Sequence, residues 1–98
     1  MADEERETLQ LIRRLLQTES TSVEPGKFAG LFEMRIAGLY LKIGCRAEAG
    51  HWFVLAARKA ERYTQDPLWI LEIAAEKLPD HLEVREELKT MKRQYLGE

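Results

Sequence analysis

No stretch of this 98-residue chain alternates apolar with polar residues, the pattern a half-buried strand requires. Apolar side chains recur instead at steps of three and four, which confines the chain to helices. The punctuation agrees, since Pro25, Pro67, Pro79 and Gly44 all fall between the periodic segments rather than inside them. The expected fold class is therefore all-α, with about five helices. Asp3 is placed to cap a first helix that fades near Gln17 and carries Leu9, Leu11, Ile12, Leu15 and Leu16. Residues 18–23, rich in short hydroxyl side chains that compete for backbone hydrogen bonds, read as a loop. Pro25 suits the first position of a second helix over residues 27–43, with Phe28, Leu31, Phe32, Ile36, Leu39, Tyr40 and Ile43 as its apolar set and Gly44 as its stop.

A third helix starting near Arg46 has one apolar stripe in Ala49, Trp52, Phe53, Ala56, Ala60 and Tyr63, and a second in Val54, Leu55 and Ala57. A helix apolar on two sides lies between neighbours, so it is expected at the centre. Asp66-Pro67 opens a short fourth helix closed by Pro79, and Asp80 with Glu83 has capping-box spacing for a fifth. At this length one modest core is expected. The chain divides into an N-terminal helix (1–17), a loop (18–24), a central helical hairpin (25–65) and a second, degenerate hairpin (66–98), all within a single domain spanning 1–98.

Charge and cysteine content narrow the function classes. Fifteen Lys and Arg against 17 Asp and Glu give a net charge of −2, which argues against a nucleic-acid partner. The single cysteine, Cys45, cannot form an internal disulfide, and the start of the chain lacks a signal-peptide pattern. A cytoplasmic protein with no membrane partner is expected. Cys45, His51 and His81 lack the tight paired spacing of a metal site, so no metal and no cofactor are expected. A Cys45–His51 nucleophile pair across the turn would still need an orienting group and an oxyanion hole, which no motif announces. Catalytic residues are accordingly assigned to none. Glu4, Glu5 and Glu7, and likewise Glu83, Glu86 and Glu87, sit in early helical turns, where the helix dipole favours acids. Gly26 and Gly30 lack the Lys-Ser/Thr that completes a phosphate loop. Arg85, Lys89, Lys92 and Arg93 form a basic stripe, and Arg58, Lys59 and Arg62 a shorter one, each toward a helix C-terminus.

Ala37, Tyr40, Gly44, Ala49, Phe53 and Ala56, within the run from Ile36 to Ala56, stand at the offsets of a tetratricopeptide repeat, which this segment resembles. The spacing makes physical sense. Small Ala37 and Ala49 let two helices approach, Gly44 turns the chain, and Tyr40 and Phe53 fill the seam. The chain departs from the family where Glu33 replaces the early Trp and where the closing proline is delayed to Pro67. Gly44 to Trp52 also resembles the Gly-x-x-x-x-Ala-Gly-x-Trp segment of small bacterial proteins, a likeness that implies no mechanism. The tetratricopeptide resemblance implies a partner groove at Leu31, Met34, Gly38, Leu41 and Lys42. Met34 and Gly38 occupy the positions where that family's carboxylate clamp has Lys and Asn, so an apolar helix or a second copy of the chain, as in a homodimer, is expected instead of a peptide carboxylate. The resulting expectation is a non-catalytic protein–protein interaction module. The alternatives are a small enzyme or ligand-binding protein using the Cys45/His51 region, and an anion or nucleic-acid binder using the basic stripes.

Overall fold

Local chemistry sets where each helix begins and ends. The computed structural model describes residues 2–18 and 28–97. Among these, every regular element is helical: α1 (Ala2–Thr18), α2 (Leu31–Lys42), α3 (Arg46–Arg62), α4 (Leu68–Lys77) and α5 (Leu82–Leu96). Gly44 stops α2 as expected. At φ +79° it lets its own N–H donate to the Leu41 carbonyl (3.0 Å) and the Cys45 N–H to the Tyr40 carbonyl (2.9 Å), satisfying two terminal acceptors. The end of α3 repeats this pair of bonds, from Thr64 to Glu61 (2.9 Å) and from Gln65 to Ala60 (2.8 Å). Here Thr64, at φ 60°, holds the left-handed position that glycine usually takes, and its hydroxyl donates to the Tyr63 carbonyl at 2.6 Å.

Three expected helix starts are corrected. The helix expected from residue 27 begins at Leu31, because Gly30 is left-handed at φ +94° and interrupts the helical path. That glycine is required by a close approach, since an added Cβ would lie 2.6 Å from the Ala56 carbonyl oxygen on α3. Ala29, just before it, is buried and donates its N–H to the Gln65 side chain (2.8 Å). Pro25 and most of the expected 18–24 loop lie outside the described residues. Asp3 sits inside the first turn of α1 rather than capping it. At α5 the cap is His81 and not Asp80: the Val84 N–H donates to His81 Nδ1 at 3.3 Å. Asp66 does cap α4, accepting from the Leu68 N–H at 2.9 Å while Pro67 already holds helical angles.

The two-faced α3 takes the central place its pattern predicts, packing against α2, α4 and α5. The main core gathers Ala37, Phe53, Val54, Ala57, Ile70, Leu71, Leu78, Val84 and Met91. Buried alanines at positions 37, 49, 56, 57 and 60 bring α3 close to its neighbours. A smaller cluster of Ile12, Leu15 and Ile36 seats α1 on α2, with Tyr40 and Trp52 touching both clusters. The molecule is a slab, with Cα extents of 46 × 34 × 14 Å.

Candidate functional site

The α3–α5 seam concentrates polar chemistry. Four side-chain contacts cross between α3 and the α5 segment: His81 Nε2 to the Ala47 carbonyl (3.1 Å), His51 Nδ1 to the Glu83 carboxylate (3.1 and 3.2 Å), Arg58 to Glu87 (3.0 and 3.2 Å) and Tyr95 to Glu61 (2.7 Å). The contacting positions rise together along both segments, so α3 and α5 run side by side in the same sense. The His81 ring spans the seam. Its Nδ1 accepts from Val84, which leaves Nε2 as the protonated nitrogen that donates to Ala47. The ring lies where a Gly50 side chain would be, since a Cβ there would come within 2.1 Å of His81 Nε2. The sequence reading weighs His81 only as a metal ligand and Gly50 only within the Gly44 to Trp52 resemblance, and it does not connect the two. A glycine inside a helical pattern was the only available signal.

The residues considered for chemistry fall apart. His51 meets Glu83 across the seam. Cys45, half-buried, holds the N-cap position of α3. Burial, then the carboxylates of Glu48 and Glu5, push its thiol above the ordinary value, opposite to what a nucleophilic thiolate needs. No cluster of three or more His, Cys, Asp or Glu that could hold a metal occurs among the described residues.

The five groove positions implied by the tetratricopeptide resemblance share α2 but differ in surroundings. Leu31, Gly38 and Lys42 are exposed, with Lys42 reaching Glu4 of α1 at 3.8 Å. Met34 and Leu41 are half-buried against the main core. The apolar set expected on this helix is largely covered: Ile36 faces α1, Ala37 enters the core, and Leu31, with Phe28 just ahead of the helix, stays exposed. Phe28 is 63% exposed, and its ring meets Trp69 of α4 edge-on, centroids 6.1 Å apart at 66°. Leu31, three residues on, is 46% exposed.

The basic stripes also divide. Arg58 is taken up by Glu87, whose hydrogen bond holds the guanidinium more firmly in its charged form, and Lys59 by buried Glu33 at 3.2 Å. Arg85, Lys89, Lys92 and Arg93 make no ion pair or side-chain hydrogen bond among the described residues. Comparison with protein-family models, with curated proteins and with solved structures finds no match.

Proposed function

We propose that the protein is a non-catalytic interaction module, built on a tetratricopeptide-like helical hairpin, that receives an apolar helix, either a partner's or that of a second copy. The reading rests on one observation: Phe28, whose ring meets Trp69, and Leu31, three residues on, both stand exposed, an aromatic and aliphatic pair of the kind that anchors protein interfaces. The parallel course of α3 and α5, with α4 between them in sequence, supports a repeat-like stacking of helix pairs. Chemistry at Cys45 and His51 is supported less, because the thiol is held protonated and the imidazole is engaged by Glu83.

Light scattering across about 1 to 100 μM, a range spanning typical weak interfaces, tests the second-copy form alongside the Leu31→Glu variant. The wild type is expected to gain mass with concentration, and the variant to stay monomeric with an unchanged helical circular-dichroism spectrum. A wild type that remains monomeric, and that shows no change at Phe28 or Leu31 when titrated with apolar helical peptides, overturns the reading.

A further inference from the structure

The sequence presents a basic stripe on α5 and a shorter one on α3, and the fold separates them. On α3 the charges of Arg58 and Lys59 are matched by Glu87 and Glu33. On α5 four cations are left over. Val84 and Met91 are buried and Leu88 packs on the core, so the helix turns its opposite side outward. At 3.6 residues per turn that outward ridge carries Arg85, Lys89, Lys92 and Arg93. The same ridge carries Leu82 near one end, 69% exposed, and Leu96 at the other, 57% exposed. One acid, Glu86, lies at its edge. The helix packs only against α3 and α4 through substantial contacts, so nothing described covers the ridge.

We propose that this outer ridge of α5 binds the surface of an anionic lipid bilayer, with the four cations against the headgroups and Leu82 and Leu96 entering the interfacial layer. Charge complementarity is the first reason. Four basic side chains on one helix face are the electrostatic footprint of binding to acidic lipid, each raising partitioning by about fivefold near a charged leaflet. The exposed leucines are the second, because they are flanked by cations on the same face. Phosphate recognition on nucleic acid has no use for them, whereas an interfacial helix buries such side chains at the headgroup boundary.

The uncovered course of the ridge along α5 is the third reason. A lipid surface supplies a continuous field of anions without a matching groove, whereas single exposed ion pairs with an acidic peptide contribute little against the cost of association. The net charge of −2 does not oppose this, since screening over roughly 8 Å lets the bilayer sense the local ridge rather than the whole molecule. Binding is peripheral: no helix among the described residues is long and apolar enough to cross a membrane. This surface departs from the sequence-based expectation of no membrane partner, and it is independent of the Phe28–Leu31 surface.

Co-sedimentation of the full chain with vesicles provides the test. One set contains phosphatidylcholine alone, and the other about a third phosphatidylserine, enough for a strongly negative surface. The wild type is expected to sediment with the anionic vesicles only and to be released by high salt. Lys89→Gln/Arg93→Gln should lower partitioning roughly 25-fold, from two losses of about fivefold each. Leu82→Asn should weaken it at unchanged salt dependence. Because all three positions are exposed, circular dichroism should show native helicity in each variant. Equal behaviour on neutral and anionic vesicles overturns the proposal, as does full binding by the double variant. Retention by polyglutamate or an oligonucleotide in place of vesicles also overturns it, identifying a polyanion other than lipid.

Discussion

The contact between Gly50 and His81 shows how one missing side chain can organise a junction. Inside a helix glycine carries an entropic penalty, yet α3 keeps one at the position where the imidazole must lie to reach Ala47 with one nitrogen and Val84 with the other. Gly50→Ala improves intrinsic helix propensity and is nevertheless expected to destabilise the fold by about 2 kcal/mol through overpacking. His81→Ser retains an oxygen for the helix cap while removing the ring, so in that background the cost of Gly50→Ala should fall below about 1 kcal/mol. Urea denaturation of the two single variants and the double variant checks this. Additive costs would show that the ring and the glycine are not in contact.

At the level of elements, α2 and α3 are joined by a pair that is nearly out of water. Glu33 is 7% exposed, one of its oxygens is tied to Lys59, and the other, Oε1, is buried with no hydrogen-bond partner among the described residues. Removing either charge leaves its partner stranded, so Glu33→Ala and Lys59→Ala should each cost about 3 kcal/mol, whereas Glu33→Leu/Lys59→Met should come out near neutral. Chemical denaturation distinguishes these outcomes. The same region marks where reading from sequence stops. Gly44 was legible as a helix stop because its role is local, needing only positive φ and two neighbouring carbonyls. Gly30 was not, because the reason for it is the Ala56 carbonyl, which lies 26 residues away in sequence and touches it only once α2 and α3 pack. For the same reason the sequence points to Asp80 as the cap, whereas His81 takes that place with its other nitrogen on the distant Ala47 carbonyl. The centrality of α3 followed directly from its two apolar faces. The candidate surfaces did not, since periodicity assigns Arg58 and Lys89 alike to polar faces, and only packing brings Glu87 to the first and leaves the second alone.

For the molecule as a whole, the seam between α3 and α5 ties stability to alkaline pH. The hydrogen bond to Glu61 raises the Tyr95 phenol above its ordinary value of 10.0, so the folded chain holds this proton more tightly than the unfolded chain does. The contact therefore contributes fully below about pH 10 and is lost as pH rises through the higher folded value. Melting temperatures measured across this range should fall further in the wild type than in Tyr95→Phe, so that the wild type's advantage at lower pH narrows above pH 10. Equal slopes would remove Tyr95 from the seam. The seam also has a mechanical consequence. Because α3 and α5 run in the same sense, tension along the chain enters α3 at its N-terminal end and leaves α5 at its C-terminal end, and it loads the bridges Tyr95–Glu61, Glu87–Arg58 and Glu83–His51 side by side with the His81 ring wedged over Gly50. Such an arrangement shears rather than peels, so the bridges share the load like rungs pulled lengthwise and give way together.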